Sequence, residues 1–155
     1  MRDDVKSLAA SLITLQEEKL ALLGGILHSH IEKRHLLKTD SIGEINDLIE
    51  MDSIRTESID ALEADITATR EKISSLCGIP AGDFDHYFLR GNEWGSRELM
   101  RISGEIKTML VNLSSENDLL RNELEASLKK TGKDIDSLRR LIDLEPRIKG
   151  PGTPG

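Results

Sequence analysis

Residues 96–128 read SRELMRISGEIKTMLVNLSSENDLLRNELEASL, and Leu99, Ile102, Ile106, Met109, Leu113, Asn117, Leu120, Leu124 and Leu128 recur in it at steps of three and four. That spacing puts them on one face of an α-helix. Ser96 fits the N-cap of this helix, because its hydroxyl can accept from an otherwise unpaired backbone N–H of the first turn. Asn117 is the one polar member of the row. Either it sets register or oligomeric state from inside a seam, or it faces solvent beside a broad stripe. Gly132 then interrupts, Ile135, Leu138, Leu141 and Ile142 resume the row, and Pro146 closes it.

Upstream, Cys77-Gly78-Ile79-Pro80 ends a second helix. Gly suits the left-handed cap position and Pro prevents resumption. The stretch from Ala81 to Gly95 is a connector that holds all four aromatics of the chain, Phe84, Tyr87, Phe88 and Trp94. They read either as an anchor for a partner or, the favoured reading, as a plug sealing one end of a helical bundle. The second helix begins near Ile42, where Ser41 and Glu44 have capping-box spacing. Its row is Ile45, Leu48, Asp52, Arg55, Ile59, Leu62, Ile66, Thr69, Ile73 and Leu76. Asp52 and Arg55 either pair within the seam or are avoided by a stutter through Met51 and Ile54. The stutter is expected, because burying charge is costly.

A first helix runs from about Asp3 to Leu37, with Leu8, Leu12, Leu15, Leu22 and Ile26 as its stripe. Ile13, Leu20, Leu23, Leu27 and Ile31 widen that stripe, so the helix can touch two neighbours. Gly24-Gly25 interrupts it at a cost of roughly 2 kcal/mol relative to alanines. The pair therefore marks a kink, a close helix crossing or an early end.

Composition points the same way. The chain has 155 residues, 32% charged and only 3% aromatic, with a net charge of -7. Long helices are built from such a mixture, and a thin core needs few rings. The acidic balance argues against sequence-independent nucleic-acid binding and against docking on an anionic membrane. No apolar run is long enough for membrane insertion. The single Cys77 excludes an intrachain disulfide framework and fits a reducing compartment. The start, Met1-Arg2-Asp3-Asp4-Val5, lacks an apolar signal core, so a cytoplasmic location is expected. The fold expected is all-α: an elongated antiparallel bundle of three long helices, coiled-coil-like. Residues 1–146 form a single helical domain, and the Pro/Gly tail 147–155 is expected to be disordered.

The first two helices, about 35 residues each, would span roughly 50 Å, whereas a third of about 50 residues would reach roughly 75 Å. Its last third would overhang while still carrying an apolar stripe. Water contact with such a stripe is unfavourable by about 25 cal/mol per Å². A second copy, a partner protein or the helix's own bend would have to cover it.

Other residue groups carry weaker chemistry. His28, His30, Glu32 and His35 suggest a metal site, but His28 and His30 diverge by about 200° on a helix, and ordinary exposed polar residues are the favoured reading. Cys77 lies at a helix C-terminus, where the dipole disfavours a thiolate; a buried packing role is expected. Asp83, Asp85 and His86 lack any supporting nucleophile or phosphate-binding motif and read as solvated turn residues. No cofactor is implied, and the chain is read as a non-enzyme.

The stretches Gln16-Glu17-Glu18-Lys19-Leu20-Ala21-Leu22-Leu23, Asp40-Ser41-Ile42-Gly43-Glu44-Ile45, Glu57 to Leu76 leading into Gly78-Ile79-Pro80, and Glu116-Asn117-Asp118-Leu119-Leu120-Arg121-Asn122 stand in this order along the chain. Together they resemble the FlgN family, the flagellar type III export chaperones. The resemblance implies a chaperone-like domain without ATPase activity, which binds the C-terminal amphipathic segment of flagellar hook-associated (hook–filament junction) proteins. It would keep them unassembled and deliver them to the flagellar export apparatus. Physically this is helix-in-groove recognition. The matching surface here would be Leu113, Asn117, Leu120, Leu124, Leu128, Ile135, Leu138 and Leu141. The alternative is a coiled-coil structural or adaptor protein that homodimerises through the same stripe.

Overall fold

The computed structural model describes residues 3–80, 82–89 and 94–131. Three α-helices dominate: α1 (Asp3–Lys38), α2 (Ile42–Cys77) and α3 (Ser96–Thr131). Each is 36 residues long, and α1 packs against both α2 and α3. The fold is all-α, with no strand among the described residues. The apolar rows at three-four spacing account for this, since each helix buries one stripe and leaves its charged residues outside. The sequence expectation for residues 132–155, including the overhang and the Pro/Gly tail, lies outside the described residues.

α1 and α2 stop where the sequence announces, at Thr39-Asp40-Ser41 and at Gly78-Ile79-Pro80. α1 closes when the Ser41 N–H donates to the Leu36 carbonyl at 3.1 Å and the Asp40 N–H to the Leu37 carbonyl at 3.4 Å. Asp40, at φ 58°, takes the left-handed position, which Asp tolerates better than most residues. The Ser41 carbonyl accepts from the Ile45 N–H at 3.2 Å, while the Ser41 hydroxyl lies 2.8 Å from that of Thr39. α2 closes in the same way, with the Ile79 N–H donating to the Ser74 carbonyl at 2.8 Å and Gly78 at φ 68°. Cys77, expected to pack inside, is exposed. It falls one residue past Leu76, the last seam position of α2, and so faces outward.

α3 starts differently from expectation. The first helical bond runs from the Leu99 N–H to the Gly95 carbonyl at 2.9 Å, so Gly95, at φ 81°, is the cap. Ser96 is buried, and its hydroxyl donates to the Phe88 carbonyl at 2.7 Å. Its hydroxyl thus ties α3 to the connector instead of capping it.

The chain divides into two compact units, Met1–Ala21 with Ile59–Lys107, and Leu22–Ser58 with Thr108–Gly155. In the first unit the core joins Val5, Ala9 and Leu12 of α1 to Ile66 and Ile73 of α2 and Leu99 of α3. The connector completes it. Residues Asp85–Leu89 form a π-helical turn, and Phe84 and Phe88 stack with centroids 5.1 Å apart inside the core. The plug reading holds for these two rings, whereas Tyr87 and Trp94 are exposed. Arg70 fixes the turn from outside, with its guanidinium 4.8 Å over the Phe84 ring and 2.6 Å from Asp85.

In the second unit, Leu23 and Ile26 of α1 are buried, as are Ile45 of α2 and Leu113, Leu120 and Leu124 of α3. α1 passes through Gly24-Gly25 without a break, which removes the early-end reading. A Cβ on Gly25 would lie 2.9 Å from Arg55 Nε, so the close approach here is a side chain laid across the helix.

Candidate functional site

The deepest row of α1 is Val5, Ala9, Leu12, Lys19, Leu23, Ile26, His30 and Lys33, every one of them buried. Leu8, Leu15 and Leu22, expected at its centre, are only half-buried, and Ile31 is exposed. The stripe is therefore rotated from the leucine row, because α1 serves two neighbours and its leucines fill the flanks. The rotation brings two lysines and a histidine inside.

In the second unit these polar groups converge on Asp52. Lys33 Nζ and Ser29 Oγ each donate to Asp52 Oδ2 at 2.7 Å, and Arg55 Nη1 donates to Oδ1 at 2.8 Å. Thr56 Oγ1 donates to the Asp52 backbone carbonyl at 2.8 Å. Ser29, His30, Lys33, Asp52 and Thr56 are all at most 2% exposed. The expected stutter is thereby overturned. Asp52 stays in the seam, while Met51 and Ile54 lie outside at 48% and 65% exposure. Three side-chain donors compensate the carboxylate, which removes the penalty that argued against its burial.

His30 belongs to this layer and is not the exposed polar residue expected. Its Nδ1 lies 3.5 Å from Lys33 Nζ and 4.0 Å from Asp52 Oδ2. Burial, with Lys33 adding to it against Asp52, pushes its pKa down to about 4. Burial also lowers the pKa of Lys33, and Asp52 opposes that shift. His28 is exposed and 3.8 Å from Glu32. Among the described residues no group of His, Cys, Asp or Glu side chains is placed to hold a metal ion.

The first unit carries a second pair of the same kind. Lys19 of α1 is buried and forms an ion pair with Glu63 of α2. Burial lowers the Lys19 pKa, and the hydrogen bond and charge of Glu63 work against it. A shallow groove of about 590 Å³ also lies in this unit. Ser7, Ser11 and Thr14 line it opposite Asp65, Thr69 and Lys72.

Of the residues expected to meet a partner, Leu113, Asn117, Leu120 and Leu124 are buried within the second unit. Leu128 is half-buried, and Ile135, Leu138 and Leu141 lie outside the described residues. Asn117 thus sits inside the seam, the first of its two readings. Beside it, Arg34 reaches from α1 to two carboxylates of α3, 2.9 Å from Glu116 and 3.0 Å from Glu123. Those hydrogen bonds raise the Arg34 pKa.

No family model, curated protein or solved structure matches the chain.

Sequence reasoning names Asp52 and Arg55, and His30 only as an exposed polar residue, but passes over Lys19, Ser29, Lys33 and Arg34. A signal was present. The positions 5, 9, 12, 16, 19, 23, 26, 30 and 33 keep a strict four-three spacing, and following it through its polar members finds the lysines. No helix among the described residues is long and apolar enough to cross a membrane.

Proposed function

We propose that the chain is a non-enzymatic cytoplasmic chaperone of the flagellar export kind, which holds the amphipathic C-terminal segment of a hook-associated protein until export. The observation that carries this reading is the apolar row of α3. It is covered by the chain itself from Leu99 to Leu124, loosens at half-buried Leu128, and continues in sequence through Ile135, Leu138, Leu141 and Ile142. The docking surface of the proposal therefore centres on Leu128, Ile135, Leu138 and Leu141, and an amphipathic helix is the partner that such a row fits. Support for an antiparallel, coiled-coil-like α1–α2 pair comes from the second unit, where Gly25 lies at Arg55 and Lys33 at Asp52. Partner numbers fall along α2 as they rise along α1.

A homodimeric coiled-coil adaptor would use the same row, so the test must separate the two. Size-exclusion chromatography with light scattering, run with and without a hook-associated C-terminal segment, does so. The chaperone reading expects a one-to-one complex with the segment. An obligate tight dimer that ignores the segment would overturn it in favour of the adaptor.

A further inference from the structure

Each unit places one buried lysine of α1 against one acid of α2: Lys19 with Glu63 in the first unit, and Lys33 with Asp52 in the second. Lys19 and Lys33 stand 14 residues apart, two heptads, in the same row of α1. We propose that these two lysines are the partner-selecting residues of α1, which make the α2 of the same chain, in one register, the helix that this seam accepts.

The rest of the seam has little that tells one partner helix from another. The buried apolar side chains of α2 are all isoleucine: Ile45, Ile59, Ile66 and Ile73. Identical side chains at regular spacing distinguish poorly between one register and the next, or between α2 and any other amphipathic helix. A buried ammonium does distinguish, because opposite an apolar residue it has lost water and gained nothing. Sliding α2 by one seam step puts Leu48 or Arg55 where Asp52 now meets Lys33. Leucine leaves the ammonium unpaired, and arginine repels it. A second copy docking out of register meets the same obstacle, as does any apolar segment laid on this seam. The layer around Lys33 is built for the role, since Ser29, Lys33 and Arg55 together fill both carboxylate oxygens of Asp52. Stability alone gives no reason for such a pair, because well-packed apolar residues of similar volume often replace a buried ion pair without loss. This inference does not depend on the chaperone reading.

The test compares the full chain with Lys33→Leu, Asp52→Leu, and the paired variant carrying both. Spin labels at Glu32→Cys and Glu50→Cys in a Cys77→Ser background report the α1–α2 distance, and denaturant midpoints report folding. The unaltered pair should give one narrow distance. Each single change should lower the midpoint, and the paired variant should recover it. The paired variant should nevertheless show a second or broadened distance, or a concentration-dependent mass by light scattering. A paired variant that keeps the single distance and an unchanged mass would overturn the proposal. So would one less stable than both single variants, because the pair would then serve only to stabilise.

Discussion

His30 and Asp52 show how much a single buried polar side chain governs in the second unit. A histidine in the unfolded chain titrates near 6.5, whereas His30 in the folded protein titrates at about 4. Between those values the unfolded state takes up a proton that the folded state refuses, so folding stability falls as pH falls from about 6.5 to about 4. The full loss is roughly 3 kcal/mol. Lys33 and Asp52 are the charged groups that face the ring. His30→Gln should flatten this part of the profile, read as the difference between the two proteins in denaturant midpoint at pH 7 and pH 4.5. Equal slopes would show that His30 charges freely. Asp52→Leu alone should cost about 3–5 kcal/mol at neutral pH, since it leaves Lys33 buried without its counter-charge. Equilibrium urea unfolding measures this directly. Neither residue's role follows from its type. A rule that charge avoids seams predicts the stutter, and it fails here because α1 supplies Lys33 and Ser29, which no inspection of α2 reveals.

At the scale of elements, the helices and their ends were largely legible. Gly78 before Pro80 and the Thr39-Asp40-Ser41 turn carry their backbone chemistry in the residues themselves. The three-four row of α3 identifies most of its buried positions directly, and that of α2 marks its buried isoleucines but not Thr56, while the expected stutter passes over Asp52. The leucines of α1 mislead as a guide to its buried row, because they occupy the flanks while the centre holds Lys19 and Lys33. The π-helical turn at Asp85–Leu89 was also hidden, as it depends on Phe84 and Phe88 stacking into a core assembled from distant residues. The glycine pair in α1 separates two effects. A Cβ on Gly24 meets only Met109 Cε at 3.7 Å, so Gly24→Ala should stabilise by about 0.5–1 kcal/mol through helix propensity. Gly25→Ala should gain less or lose stability, since its Cβ would press on Arg55, which holds Asp52. Thermal melts of the two variants should therefore move apart. A larger gain at Gly25 than at Gly24 would mean that Arg55 yields without disturbing the layer.

At the scale of the whole molecule, the question is which apolar surface remains for another protein. Leu120→Asp and Leu124→Asp now report on folding, because both leucines are buried in the second unit. Leu138→Asp is the probe of partner binding. It should weaken binding of an amphipathic hook-associated segment at least tenfold, about 1.4 kcal/mol or more by isothermal titration. Unchanged affinity would move the docking site elsewhere. The third-helix row was legible in the sequence as a row. Which part of it the chain keeps for itself was not, because that depends on where α1 lies against it, as the Arg34 contacts to Glu116 and Glu123 show.

Hydrogen exchange, read residue by residue in the free chain and in the presence of the segment, tests the account most directly. It predicts protection of Leu113, Leu120 and Leu124 in both states, and a gain of protection across residues 135–142 only when the segment is bound. Protection of 135–142 already complete in the free monomer, with no change on addition of the segment, would contradict it.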